Sequence, residues 1–298
     1  MARRASAVSL ACLLAAGLVP PLRLDVARVS GCLPAAARLA RAVPGATGPR
    51  SPRPEDVAKV MGELKSRLRG VAVPVRITVP TRVILLTDGR RRVSDQAVRA
   101  QLDVLNTAYS GGYGGVDTGV RFKLESVSVK ENASWFTDPV GAEKAMKTRL
   151  HQGGAQTLNL YIAQLSELML GFAAYPYWYA GAPALDGVVI DWRTLPGGAM
   201  TNYNKGFTGV HEIGHWLGLF HTFENGCDVP GDGIADTAPE GGATEGCPES
   251  KDTCPGAASD PMHNYMDYTH DRCMSEFSQG QAERMHEMWA AYRRATDV

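Results

Sequence analysis

Residues 210–221 read VHEIGHWLGLFH, a run that places three histidines, one glutamate and two glycines at fixed offsets. His211 and His215 are four positions apart, so on a helix they project from one face, one turn apart. Gly218 marks a point where such a helix can end, because glycine tolerates left-handed backbone angles. The chain can then turn and bring His221 beside the other two imidazoles.

Three imidazoles with an open fourth position are typical of catalytic zinc sites, whereas structural zinc sites are closed by four protein ligands. We therefore predict that His211, His215 and His221 bind one zinc ion. Glu212 is rotated by about 100° from His211 on the same helix, so it can flank the metal without ligating it. This position suits a general base that takes a proton from a zinc-activated water.

The alternative interpretation of this run is an ordinary amphipathic core helix with hydrogen-bonded histidines. An apolar stripe does run along it, formed by Val210, Ile213, Leu217 and Phe220. A bare His-Glu-x-x-His pattern is weak evidence for zinc, but the added glycine and third histidine make a chance match roughly a thousandfold rarer. The helix is therefore expected to be part of the core and part of the site.

Charge and cysteine content narrow the class of protein. Lys and Arg total 31 and Asp and Glu total 31, a balance that gives no indication of nucleic acid or a membrane surface as partner. Four of the six cysteines follow the histidine run, and their spacing does not choose among three pairings. Because no Cys-x-x-Cys pair occurs, two disulfides are favoured over a second structural zinc site, which indicates an oxidising compartment.

The chain divides into three predicted segments. Arg3 and Arg4 followed by an apolar run indicate a signal peptide over 1–30, and the run is too short for a transmembrane helix. A lipoprotein cleavage box ending at Cys32 and a twin-arginine signal are the weaker alternatives. Residues 31–72, rich in Ala, Arg, Pro and Gly, are expected to be a pro-segment or linker, and 73–298 the catalytic domain, with a subdomain split near 221.

Local patterns within the catalytic segment predict an α+β fold. Alternation and β-branched residues predict strands, whereas caps and apolar stripes predict helices. Gly, Asp and Pro dominate 224–262, which is expected to be held by cysteines rather than by regular structure. The strands are predicted at 75–86, 120–129, 157–163 and 187–192, and the helices at 94–109, 141–151, 207–218 and 279–294. In the second strand, the side chains expected to be buried are Phe122, Leu124, Val127 and Val129.

Three longer stretches carry a resemblance to a known family. They are GFTGVHEIGHWLGLFHTF at 206–223, DPMHNYMDY at 260–268 and CMSEFSQGQAERM at 273–285. Together they resemble the pappalysin family of metzincin zinc metallopeptidases, over roughly 75–298 and most strongly over 206–285. The resemblance implies a metzincin-like catalytic domain. Its N-terminal subdomain would contain a twisted mixed sheet and the zinc-binding helix, and its loop-rich C-terminal subdomain would contain a methionine turn, disulfides and a final helix.

The resemblance also implies roles for particular residues. Met266 would be the methionine-turn residue beneath the zinc, and Tyr268 would stabilise the negative charge that develops on the substrate. The disulfides would be Cys227–Cys254 and Cys247–Cys273. Calcium would bind a loop near the cleft, where Asp232, Asp236 and Thr237 offer hard oxygen ligands. The strand at 187–192 would be the edge strand that binds substrate in extended form.

The resulting prediction is a secreted, zinc-dependent endopeptidase that acts as a monomer on protein or peptide substrates. We expect no nucleic-acid partner and no stable membrane insertion. Asp271, close after the methionine turn, is predicted to face a primed-side pocket and favour a basic side chain. Two alternatives stay open, a secreted zinc-binding module without catalysis and a zinc hydrolase of a non-protein amide. Cys32 is preceded by Gly31 and followed by Leu33, which departs from the family's cysteine-switch motif, so a latency role for Cys32 stays open.

Overall fold

The computed structural model describes residues 54–166 and 168–294, with only the backbone given for Pro54 and Glu55. The predicted signal peptide, the first part of the predicted pro-segment, Cys12 and Cys32 lie outside these residues. Within the described ranges, no helix combines the length and apolar character needed to cross a membrane.

The first described element is a helix that the sequence analysis did not predict, α1 (Pro54–Arg67). Its apolar side chains Val57, Val60 and Leu64 are at most 4% exposed and pack against Phe220 and Met288. Burial of each side chain of this size stabilises the fold by about 1.5–3 kcal/mol. The i, i+3, i+7 spacing of these residues was the available signal, but it lies in a segment whose composition indicated a linker.

A five-stranded mixed sheet forms the centre of the N-terminal half, with the strand order β2-β1-β3-β5-β4. Strands β1, β2, β3 and β5 run parallel, whereas the short β4 pairs antiparallel with β5. This arrangement agrees with the α+β class and the mixed sheet that the resemblance implied. The strand bounds are β1 (Ile77–Thr87), β2 (Val120–Glu131), β3 (Leu158–Ala163), β4 (Gly171–Ala173) and β5 (Val188–Asp191).

The burial expected for the second strand is only half right. Phe122 is 5% exposed, but Val127 and Val129 are 37% and 46% exposed. Strand β2 lies at the edge of the sheet, and its register against β1 shifts between Thr81 and Arg82. Beyond this irregularity, the second half of β2 extends past the apolar cluster and is exposed to solvent at the sheet edge. Alternation of apolar residues therefore does not establish burial in this half of the strand.

The prediction that residues 187–192 form the substrate-binding edge strand is wrong. Strand β5 lies inside the sheet, between β3 and β4, so both of its edges are paired. The edge belongs to β4, a strand of three residues. Such a short strand shows no alternation in the sequence, and only its antiparallel return beside β5 defines it.

Helices cover both faces of the sheet. On one face, α2 (Asp95–Tyr109), capped by the Ser94 side chain, and α5 (Phe207–Trp216) share a single apolar cluster with the strands. On the other face, α3 (Ala133–Thr137) and α4 (Glu143–Leu150) contribute Phe136 and Met146 to a second cluster. The helix that carries the histidine run is therefore a core element, and all ten of its residues are buried.

The C-terminal half is mostly irregular and ends in α6 (Gln279–Met288), which continues as a π-helical turn (Trp289–Arg293). The structure joins Cys227 to Cys254 and Cys247 to Cys273, with Cα–Cα separations of 5.5 and 5.9 Å. These are the pairs that the resemblance implies. Two covalent links between its loops restrict a region that has little regular structure of its own.

Candidate active site

The end of α5 is built around two glycines that permit close approach. Gly218 has a φ of 98°, and the amide of Leu219 donates to the Gly214 carbonyl at 2.9 Å, which closes the helix. A Cβ atom at position 218 would lie 2.4 Å from Cγ of Met288. Both the left-handed angle and the lack of space require glycine there, and the turn it permits directs His221 back towards the helix.

The structure brings the three predicted histidine ligands together. Nε2 of His215 lies 3.1 Å from Nε2 of His211 and 3.0 Å from Nε2 of His221. Ligand nitrogens about 2.0–2.1 Å from a tetrahedral zinc ion are separated by roughly 3.3 Å, so this spacing fits that geometry. Among the described residues, this trio is the sole cluster of three or more His, Cys, Asp or Glu side chains placed to share a metal ion.

Hydrogen bonds orient the imidazoles for metal binding. Nδ1 of His211 lies 2.6 Å from the carbonyl oxygen of Tyr265, and Nδ1 of His215 lies 2.8 Å from that of Leu219. A carbonyl oxygen can only accept, so each Nδ1 carries the proton and each Nε2 presents a lone pair. Nδ1 of His221 lies 3.5 Å from a carboxylate oxygen of Glu224.

Burial keeps two of these histidines neutral. It lowers the pKa of His211 to about 3, with a further contribution from His221 and an opposing one from the Tyr265 carbonyl. The pKa of His215 is lowered well below its usual value, mainly by burial and then by the other two histidines. Neutral imidazoles are the form that binds metal, so the donor set fits a zinc ion.

Glu212 points from α5 towards the edge of the sheet. Its side chain is fully buried, and it lines the same pocket as His211 and Tyr268. The adjacent sheet residue is Gly171, the first residue of β4. The carboxylate is thus placed beside the histidine cluster without belonging to it, as the helical rotation from His211 predicts.

The methionine turn lies directly beneath the helix. A Cβ atom at position 214 would lie 2.4 Å from Sδ of Met266, so the absence of a side chain at Gly214 leaves room for this methionine. The Met266 amide donates to the side chain of Asn264 at 2.9 Å, and the Met266 carbonyl accepts from the Thr222 amide at 3.3 Å. Met266 is fully buried, so its apolar side chain packs under α5 at Gly214.

Two residues that support the site were missed in the sequence. Gln281 exchanges two hydrogen bonds of 2.8 Å with Asn264 and also takes part in the capping box of α6, so it links the methionine turn to the final helix. The Tyr175 hydroxyl lies 2.9 Å from Nδ1 of His215. The Ser278-x-x-Gln281 capping pattern was a usable signal for the first. Nothing in the sequence pointed to Tyr175.

Tyr268 lies at the open side of the histidine cluster. Its hydroxyl is 3.1 Å from Nε2 of His221, and its ring meets the rings of His221 and Phe223 edge to face. Phe223 in turn stacks on His221, with ring centres 4.7 Å apart. This packing holds the Tyr268 hydroxyl next to the cluster of Nε2 atoms.

A pocket opens beside the histidines, and Asp271 contributes to its lining. The Asp271 carboxylate is 3% exposed and accepts a hydrogen bond from the Lys205 amide at 2.7 Å. Burial raises the pKa of Asp271 to about 7. The walls combine apolar and aromatic side chains with polar and acidic ones. The lining residues are Leu170, Tyr203, Phe207, Thr208, His211, Glu212, Asp267, Tyr268, Thr269, Asp271 and Met274.

Of the three residues predicted for calcium, Asp232 and Thr237 bond to each other, whereas Asp236 bonds to residues at the start of α6. Thr237 donates its hydroxyl to the Asp232 carboxylate at 2.8 Å, and burial raises the pKa of Asp232 to about 7. Asp236 instead accepts from the Ser278 hydroxyl at 2.7 Å and from the Gly280 amide at 2.9 Å. Both oxygens of Asp236 therefore stabilise the start of α6, where the helix dipole favours negative charge.

Comparison with solved structures places this fold in the metzincin class of metalloendopeptidases. Mature mirolysin from Tannerella forsythia, solved with a cleaved peptide, is 29% identical, with a TM-score of 0.63 over 71% of this chain and 91% of that one. A promirolysin mutant from the same organism is 26% identical, with a TM-score of 0.70 over 80% of this chain and 89% of that one.

Sequence comparison identifies the family. The family model described as pregnancy-associated plasma protein-A, peptidase family M43, matches residues 149–290. An extracellular metalloprotease of Arthroderma benhamiae is 38% identical over 84% of this chain and 90% of its own length. One from Arthroderma otae is 41% identical over 73% of this chain and 79% of its own length. The chain belongs to the pappalysin family of metzincins, as its motifs predicted, and is a metalloendopeptidase.

Proposed function

We propose that this chain is a secreted zinc endopeptidase in which His211, His215 and His221 hold the ion and Glu212 is the general base. One observation carries the proposal. Three imidazoles direct their Nε2 atoms at one point, with spacings of 3.0 and 3.1 Å, and Glu212 borders the same pocket. When bound, zinc polarises a peptide carbonyl and lowers the pKa of a water molecule towards neutrality.

The residues near the three histidines have different roles in peptide hydrolysis. Glu212 accepts the proton of the attacking water and delivers it to the nitrogen of the leaving amine, so one carboxylate acts first as base and then as acid. Tyr268 donates its hydroxyl hydrogen bond to the carbonyl oxygen of the substrate as negative charge builds on that atom. The outer edge of β4, the last strand of the described sheet, offers backbone groups for an extended peptide beside Glu212.

The most direct test is cleavage of gelatin by the purified secreted protein with and without a zinc chelator. We expect cleavage that the chelator abolishes and added zinc restores. Zinc binding without any cleavage would support the non-catalytic module. Cleavage of small amides with none of gelatin would support the hydrolase of a non-protein substrate.

The extracellular names of the fungal relatives support secretion of this chain. Calcium bound through Asp232, Asp236 and Thr237 stays a prediction.

Replacement of Tyr268 by Phe should lower kcat on the order of 100-fold with little change in KM, because the lost hydroxyl interacts with charge that develops after substrate binds. The ring and its packing on His221 are retained, so zinc content should stay at that of the parent. Steady-state kinetics on one fluorogenic peptide measures this. Tyr113→Phe, on a ring that is 45% exposed, is the matched control. A parental kcat in Tyr268→Phe would exclude the hydroxyl from the reaction.

We further propose that Asp271 selects a basic side chain on the primed side of the scissile bond. Asp271→Asn should lower kcat/KM for peptides with Arg at that position on the order of 100-fold, because the buried carboxylate would pair with the guanidinium. Peptides with Leu there should be cleaved much as before. Asp252→Asn, at an exposed position, is the control. Equal losses for Arg and Leu peptides would contradict a role in selectivity.

The same residue predicts a pH dependence. Because the pKa of Asp271 is raised to about 7, its carboxyl is mostly neutral below that pH and charged above it. The preference for Arg over Leu peptides should therefore rise as the pH increases through 7. Asp271→Asn should show no such rise, which makes the ratio of the two kcat/KM values the quantity to measure.

A further inference from the structure

A contact between the edge strand and the proposed general base has a consequence for catalysis. Gly171 is the first residue of β4 and pairs with Ile190 of β5. Its neighbour Phe172 packs into the cluster on the opposite face of the sheet, so position 171 faces α5. There the backbone of the strand meets the side chain of Glu212.

The approach is close enough to exclude any side chain at position 171. A Cβ atom built on Gly171 would lie 2.6 Å from Cγ, 2.7 Å from Oε1 and 2.9 Å from Cδ of Glu212. Carbon atoms in contact are normally separated by about 3.5–4.0 Å. An alanine at this position would therefore displace the carboxylate of Glu212, the strand, or both.

The backbone conformation at position 171 is not the reason that glycine is required there. The φ angle of Gly171 is not in the positive region, so an L-residue is compatible with its backbone. The neighbouring strand residues carry side chains, and alanine is normally tolerated in a strand. The requirement for glycine comes from the space that the Glu212 carboxylate occupies.

We propose that Gly171 is a positioning residue for catalysis, whose missing side chain lets the Glu212 carboxylate lie against the edge strand in the orientation that proton transfer needs. The inference rests on the proposed role of Glu212 as general base. It also links the base to the element whose outer edge would bind the peptide. A misplacement of a catalytic group by about 1 Å can cost about 100-fold in rate, so one methyl group is sufficient to disturb the reaction.

The test compares Gly171→Ala with Gly154→Ala, a matched change at an exposed site where a new Cβ has no heavy atom within 4 Å. In Gly171→Ala, kcat should fall about 100-fold while KM and zinc content stay at parental values. Gly154→Ala should match the parent in all three. A parental kcat in Gly171→Ala would overturn the inference.

A second experiment tests the contact between position 171 and Glu212 directly. It stays informative even if Gly171→Ala folds poorly, because it compares Gly171→Ala in two backgrounds. In a Glu212→Ala background the carboxylate is gone, so the methyl group introduced by Gly171→Ala has space. The loss of thermal stability caused by Gly171→Ala in the parent should then disappear, as expected for two residues that interact directly. An equal loss in both backgrounds would place the clash elsewhere and overturn the inference.

These outcomes separate this inference from the proposed function. If Glu212→Ala alone retained parental peptidase activity, the role of Glu212 as base would be wrong, whereas the stability comparison would still report on the contact. If Glu212→Ala is inactive and Gly171→Ala is fully active, only the positioning role of Gly171 is refuted.

Discussion

Glu212→Ala is expected to abolish proteolysis while the protein still binds one zinc ion. Proton transfer by a positioned side chain typically contributes about 100- to 10,000-fold to the rate, and here one carboxylate would both accept and deliver the proton. The three proposed ligands do not include Glu212. The groups next to their Nδ1 atoms belong to Tyr265, Leu219, Tyr175 and Glu224. The ligand set should therefore survive the substitution.

Casein or gelatin cleavage and zinc content per chain are the measurements for this variant. Glu249→Ala removes an exposed carboxylate and should behave as the parent does. If Glu212→Ala still cleaved casein or gelatin, Glu212 would be excluded as the general base. Loss of zinc together with activity would instead indicate that Glu212 supports the ligands, which its place outside the Nε2 cluster argues against.

His221→Ala is expected to lose zinc and, with it, activity. His221 is the proposed ligand that follows the Gly218 turn, and its Nε2 lies 3.0 Å from that of His215. Two imidazoles on one helix bind zinc far more weakly than three, because a tetrahedral site then lacks half of its positions. Zinc content after dialysis and cleavage of casein should fall together.

The matched control is His151→Ala, which removes a histidine at the end of α4 that lies outside the metal cluster. Its zinc content should equal that of the parent. Unchanged zinc in His221→Ala after dialysis would argue against a third ligand at this position. Circular dichroism of both variants shows whether loss of metal accompanies loss of folded structure.

Much of the site is predictable from the sequence because its parts have short-range causes. The four-residue spacing of His211 and His215 requires only helical periodicity. The return of His221 requires only a glycine able to adopt a left-handed angle, and Gly218 has a φ of 98°. The helix bounds follow from the same local rules, with 207–218 predicted and Phe207–Trp216 observed. The disulfide pairs, by contrast, came from family resemblance rather than from spacing.

Other features depend on contacts between distant segments. Strand β4 has three residues and exists because it returns beside β5. Helix α1 is stabilised by burial against Phe220 and Met288, which lie more than 150 positions away in the sequence. Gln281 supports the methionine turn through two hydrogen bonds to Asn264. No local pattern encodes which side chains will meet across such separations.

The sequence by itself determined the candidate ligand set and the candidate base, because each follows from residue type and from spacing along one chain. Its longer motifs carried the resemblance that indicated the family and the α+β class with a mixed sheet. The tertiary structure decided which strand forms the edge, how Tyr268 packs on His221 and Met266 packs under α5, and that Asp236 bonds to α6. It also decided that Gly171 lies against Glu212. The physical reason is that side-chain volume and hydrogen-bond geometry act through space, so they become defined only when the sheet, α5 and the C-terminal loops have packed together.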